Sequence, residues 1–146
     1  PAERGDLLAR ASLKGIELLN QNKKGFFMMI EGSQLDDYGH FNDLDLLMQE
    51  THDFDRTIGA IYEWAAKDGE TLVVVTADHE TGGLAIPSCD GDFTRSESGI
   101  RYVFGSKSHT ATYVPVYLYG TGAGHIAGIM DNTQLARRVM ALLGKE

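Results

Sequence analysis

The stretch Thr71–Gly83, TLVVVTADHETGG, constrains this chain more than any other. Leu72–Thr76 is a short apolar, β-branched run and reads as a strand covered on both faces, as in α/β sheets. The run stops at Ala77, and Asp78 and His79 follow at once. In open α/β sheets the chemistry sits just beyond the carboxyl ends of the strands. A carboxylate and an imidazole placed there are poised to bind a metal or move a proton. Gly82 and Gly83 then let the backbone turn tightly. Alone, an Asp-His pair reads sooner as an acidic helix cap beside a surface histidine, so its meaning depends on what the chain sets beside it.

The chain repeats the arrangement earlier. Phe26–Ile30, FFMMI, is a second continuous apolar run and reads as a second buried strand, with Met28 and Met29 as core filler. Directly after it comes EGSQLDDYGHFND, Glu31 to Asp43. Asp36 and His40 are four apart; in a helical turn they would lie on one face, and in a loop they could still converge. The competing reading is a polar loop in which Asp43 or Asp45 caps a helix. A third histidine, His109, follows Ser108 and precedes Thr110; isolated, such a residue is a surface histidine. Three loops thus carry Glu31, Asp36, His40, Asp78, His79 and His109. Mixed imidazole and carboxylate donors suit zinc, and an acid-rich site can also hold magnesium.

The remaining segments supply a scaffold. Arg4–Asn22 has its leucines and isoleucine at helical spacing, ending near Asn20–Gly25. Leu46–Lys67 is a longer amphipathic helix, with Leu47, Phe54, Ile58, Ile61, Tyr62, Trp64 and Ala65 inward and Glu50, Asp53, Asp55, Arg56, Glu63 and Lys67 on its solvated face. Strand, helix, strand from Phe26 to Thr76 predicts a right-handed crossover. Residues 84–108 read as an irregular insertion over the strand ends. Pro87, Ser88, Asp90, Gly91 and Asp92 form its loop, and Ile100–Phe104 is a short strand to pair with Leu84–Ile86. Val114–Tyr119 reads as a strand whose Pro115 favours an edge or a strand start. Gly120–Gly128 lacks the lysine of a phosphate loop and reads as a connection, with His125 on its surface. Asp131-Asn132-Thr133 caps a last helix, Thr133–Leu143, with Leu135, Val139, Leu142 and Leu143 inward.

Composition narrows the function classes. A formal net charge of −8 with no Lys/Arg cluster argues against nucleic-acid binding. An acidic chain can still take an anionic substrate when bound cations reverse the local field. No apolar run is long enough for a membrane-spanning helix, and no signal-peptide pattern is present. The single Cys89 forms no intrachain disulfide. The 146 residues suffice for one domain, expected over 1–146, and the opening PAERGDLLARASLKG enters a helical pattern directly, as a cut inside a longer protein would.

The order EGxxxDxxxH, then VTADHETGG, then SHT followed by VPVYLYG and DNT resembles the C-terminal half of alkaline phosphatases, from about Leu7 to Leu143. TADH alone is shared with cofactor-independent phosphoglycerate mutases and phosphodiesterases; TADHETGG with a later HT is far more specific. The resemblance implies a three-layer α/β/α fold with a mostly parallel mixed sheet, incomplete in this chain. It implies hydrolysis of phosphate monoesters, with zinc at two sites and magnesium at a third. Asp36, His40 and His109 match ligands of the first zinc, Asp78 and His79 those of the second, and Glu31 a ligand of magnesium. Asp37 falls where family members differ, at a position that tunes the third metal. A homodimer and a periplasmic or secreted location are further implications.

The resemblance also shows what this chain does not match. The family's serine nucleophile, its phosphate-gripping arginine, a bridging aspartate and a magnesium-binding threonine come from the N-terminal half. Ser12, Ser33, Ser88, Ser96, Ser98, Ser106 and Ser108 lack the nucleophile's context. The chain is therefore expected to supply metal ligands but no nucleophile, and to be inactive alone. A fragment of a related phosphodiesterase or mutase, and a non-catalytic metal-binding or interaction domain, are the alternatives.

Overall fold

The computed structural model describes residues 3–87 and 101–144. They group into two compact units, one within Pro1–Ile30, Asp53–Asp78 and Pro115–Glu146, the other within Glu31–His52 and His79–Val114. Helix α3, Leu44–Asp68, contributes to both. Its first turn is capped by Asp43, one of the two acids the sequence offers for that role, whose Oδ1 accepts from the Leu46 amide at 3.0 Å.

In the first unit, helix α1 (Leu7–Leu19) packs its Ile16 and Ser12 inward. Gly15 on α1 admits Met28: a Cβ there would lie 2.6 Å from the Met28 methyl carbon. Phe26 meets Trp64 of α3 edge to face, with ring centres 6.4 Å apart. The opposite side chains of this segment are bare, Phe27 at 71% exposure and Met29 at 76%. Phe26–Ile30 alternates inward and outward as a strand does, yet it joins no ladder among the described residues. The predicted strand covered on both faces is thus corrected to an extended segment covered on one. The crossover expected around it likewise forms no parallel pair.

Strand β1, Leu72–Val75, falls where TLVVVT predicts, but its residues are only half-buried. It pairs antiparallel with the strand Tyr117–Gly120 (β6 in chain order), Leu72 opposite Gly120 and Val75 opposite Tyr117. The strand starts after Pro115, as a residue with no amide donor requires. Tyr62 of α3 stacks on Tyr119, ring centres 4.8 Å apart. Helix α4, Asn132–Leu142, begins at a full capping box between Asp131 and Gln134. Leu135 and Val139 are half-buried, whereas Leu142 and Leu143 stand exposed, contrary to the expected inward stripe.

On α3, Glu50 and Asp53 are buried rather than solvated as expected, and Thr57 is buried beside them. Asp53 accepts from Arg4 Nη2 at 2.8 Å and from Arg56 Nη2 at 3.2 Å, and the Thr57 hydroxyl donates to the Asp53 carbonyl at 2.9 Å. Partnered this way, a carboxylate is tolerated inside. The first hydrogen bond, from Arg4, chiefly holds the Asp53 carboxyl below its ordinary pKa.

Among its described residues the second unit holds helix α2 (Gln34–Phe41) and four two-residue strands: β2 (Glu80–Thr81), β3 (Leu84–Ala85), β4 (Val103–Phe104) and β5 (His109–Thr110). Strand β2 pairs antiparallel with β5, and β3 with β4. The β3–β4 pair realises the expected hairpin between Leu84–Ile86 and the Phe104 segment. Ser88–Asp92 and Ile100 lie outside the described residues. Gly82, at φ +96°, turns the chain between β2 and β3, where a Cβ would come within 2.9 Å of the Gly39 carbonyl oxygen. All pairings among the described residues are antiparallel, so the mostly parallel sheet expected from the sequence is not formed by them.

Candidate metal centre

Helix α2 supplies the first two side chains of the centre. Its residues Asp36 and His40 lie one turn apart, and His40 Nε2 stands 3.4 Å from Asp36 Oδ2. The helix ends at Asn42, which adopts a left-handed conformation, φ 58°. At the other ring nitrogen, Nδ1 of His40 lies 2.8 Å from the Lys107 carbonyl oxygen.

The β2–β5 ladder brings the rest. Thr81 and His109 are direct cross-strand partners, as are Glu80 and Thr110. The Glu80 carboxylate accepts from the Gly83 amide at 2.9 Å and from the Thr110 hydroxyl, which ties the ladder to the turn after β2. His79 precedes β2 and its ring stacks on His109, ring centres 3.5 Å apart and planes 17° from parallel. His109 Nε2 lies 3.6 Å from Asp36 Oδ1, and the His40 and His109 rings are 5.0 Å apart.

Ligand atoms of Asp36, His79 and His109 all fall within 4.8 Å of one another. One carboxylate and two imidazoles at that spacing are a donor set suited to zinc. The Thr81 hydroxyl, donating to Asp36 Oδ1 at 2.5 Å, is the main cause holding the Asp36 carboxyl below its ordinary pKa; partial burial opposes it, and the three histidines add to it. The carboxylate is therefore kept ionised, the form a cation needs.

Of the six residues singled out from the sequence, the second unit thus gathers Asp36, His40, His79 and His109. Glu31, also in this unit, is exposed and outside the converging set. Asp78 is exposed beyond the end of β1 and belongs to the first unit. Asp37 accepts from Gln34 Nε2 at 2.7 Å on the exposed side of α2. Sequence reasoning passed over Thr81, Gly39 and the Lys107 carbonyl. Thr81 had a signal: two residues beyond His79 on an extended segment, it shares that residue's face.

The alkaline phosphatase family model matches residues 7–94. The chain belongs to the alkaline phosphatase family. It is similar to alkaline phosphatase 3 of Bacillus subtilis, 32% identical over 195 aligned positions that cover 88% of this chain and 42% of that protein. It is 34% identical to the alkaline phosphatase of Escherichia coli strain K12, over 94% of this chain and 32% of that one. The solved structure of alkaline phosphatase from the Antarctic bacterium TAB5 superposes with a TM-score of 0.87 at 37% identity, covering 97% of this chain and 42% of that one. A variant of the TAB5 enzyme carries magnesium in its M3 site. The fold is alkaline phosphatase-like, and the chain spans less than half the length of these relatives.

Proposed function

We propose that this chain supplies the zinc ligands of an alkaline phosphatase that hydrolyses phosphate monoesters, and that 1–146 is the C-terminal portion of its catalytic domain. The observation that carries the reading is the gathering of His40, His79 and His109 around the Asp36 carboxylate in a member of this family. Asp36, His40 and His109 hold the first zinc, Asp78 and His79 the second, and Glu31 contributes to magnesium. The magnesium-bound relative supports a third cation. Bound divalent cations at such a centre polarise a phosphoryl oxygen and activate the attacking and leaving oxygens.

The chain's own residues prepare that centre. Asp36 offers a carboxylate kept ionised by Thr81, and His40 is oriented by the Lys107 carbonyl. The serine nucleophile and the arginine that grips phosphate have no counterpart in this sequence. Positioning and charge stabilisation of the reacting phosphoryl group are then missing, and the chain alone turns over no substrate. The rest of a longer protein completes a three-layer α/β/α sandwich with a mostly parallel mixed sheet. The bare Phe27 and Met29 and the unladdered Phe26–Ile30 segment support that completion. Residues 84–108 form the irregular insertion of that domain. The whole enzyme is a homodimer, periplasmic or secreted.

A chromogenic phosphate ester assayed with added zinc tests the reading. The isolated chain is expected to show no turnover above the zinc blank. Turnover comparable to a full-length family enzyme, abolished by Asp78→Ala, would overturn it.

A further inference from the structure

The hydroxyl of Thr81 touches two ligand-type side chains at once: its Oγ1 lies 2.5 Å from Asp36 Oδ1 and 3.2 Å from His79 Nδ1. A threonine hydroxyl has one proton to donate and lone pairs with which to accept. An ionised carboxylate only accepts, so the hydroxyl proton is committed to Asp36. The contact to His79 then closes as a hydrogen bond only when Nδ1 carries a proton and donates it to Oγ1. The chain of donors runs His79 Nδ1–H to Thr81 Oγ1–H to Asp36 Oδ1. It leaves the lone pair of His79 on Nε2. The same logic holds independently at His40, where a carbonyl that can only accept faces Nδ1 at 2.8 Å and leaves Nε2 available.

We propose that Thr81 is a positioning residue of the metal centre, fixing His79 as its Nδ1–H tautomer and aiming Asp36 from across the fold of the second unit. The proposal rests on the metal-centre reading above. The hydroxyl is itself held in place. Thr81 lies opposite His109 in the β2–β5 ladder, and the preceding Glu80 is anchored by the Gly83 amide and the Thr110 hydroxyl. On the other side, the backbone of Gly39 on α2 closes against the Thr81 side chain. A single hydroxyl therefore couples the donor from α2 with the donor just before β2. The isosteric Thr81→Val keeps the packing and removes the coupling, whereas Thr81→Ser keeps the hydroxyl.

The test uses the full chain, nitrogen-15 labelled at histidine, first without metal at pH 8. Imidazole nitrogen shifts are expected to place the His79 proton on Nδ1 in the unsubstituted protein and in Thr81→Ser, and to show an increased Nε2–H population in Thr81→Val. Titration with zinc alone should then show affinity lowered about 10- to 100-fold in Thr81→Val, with Thr81→Ser recovering most of it. A His79 proton on Nε2 in the unsubstituted protein overturns the proposal without any variant. So does a folded Thr81→Val with unchanged tautomer and unchanged affinity. If the unsubstituted chain binds no zinc, the metal-centre reading fails, and the tautomer in the metal-free chain still decides the role of Thr81.

Discussion

Gly39 on α2 and Thr81 on β2 meet backbone to side chain: a Cβ added at Gly39 would stand 3.0 Å from both the Cβ and the carbonyl oxygen of Thr81. The absence of a side chain at position 39 is what lets the helix carrying Asp36 and His40 approach the strand that follows His79. Gly39→Ala sets two effects against each other. Alanine favours the helix by about 1 kcal/mol, while crowding a packed contact costs about 1–3 kcal/mol. Because one of the crowded atoms is a backbone oxygen that cannot rotate away, the crowding should win. The expected result is a lower midpoint in urea unfolding together with weaker zinc binding. A Gly39→Ala protein more stable than the parent, with zinc affinity intact, would show that the approach is not tight.

The Arg4–Asp53 pair gives the first unit an acid sensitivity. The Asp53 carboxyl is depressed mainly by its hydrogen bond from Arg4, so its stabilisation is complete above the unfolded carboxylate value of about 3.9. It is lost as pH falls through the lower folded value. Asp53→Asn removes that titration, so its stability should depend less on pH below about 4 than the parent's does. At pH 7 the substitution should cost about 2 kcal/mol, below the usual loss for a buried pair, because both arginines retain access to water. Urea unfolding between pH 2 and 7 checks both statements, and parallel pH curves for the two proteins would refute the first.

Gly120 ends the β1–β6 ladder at φ +94°, where a Cβ would lie 2.1 Å from the Thr71 carbonyl oxygen. Both the left-handed backbone and the contact exclude a side chain. Gly120→Ala should therefore destabilise the protein by about 2–4 kcal/mol. Amide exchange should report the damage at Leu72–Val75, the strand paired with it. Protection there equal to that of the parent would contradict the assignment.

Some of this was legible in the sequence because short-range chemistry governs it. Asp43 and Asp131 cap α3 and α4, and the 36/40 spacing delivers one helical face. Leu72–Val75 forms a strand whose sequence says nothing about its partner. What escaped depends on the rest of the packing. Apolarity alone could not tell that Phe26–Ile30 would be covered on one side only. A charge at Glu50 or Asp53 looks solvated until the arginine that reaches Asp53, 49 residues earlier in the chain, is in place. The site residues were marked by their types. The side chain that couples them, Thr81, was overlooked because a threonine carries no ligand signature.

In the proposed centre Asp36 and His109 hold zinc while Glu31 does not. Calorimetric titration of the full chain with zinc, compared across Asp36→Ala, His109→Ala and Glu31→Ala, decides the matter. The expected result is measurable zinc binding by the parent, a loss of about 10-fold or more in Asp36→Ala and His109→Ala, and little change in Glu31→Ala. A titration in which Glu31→Ala is the most damaging of the three, or in which the parent binds no zinc, would contradict it.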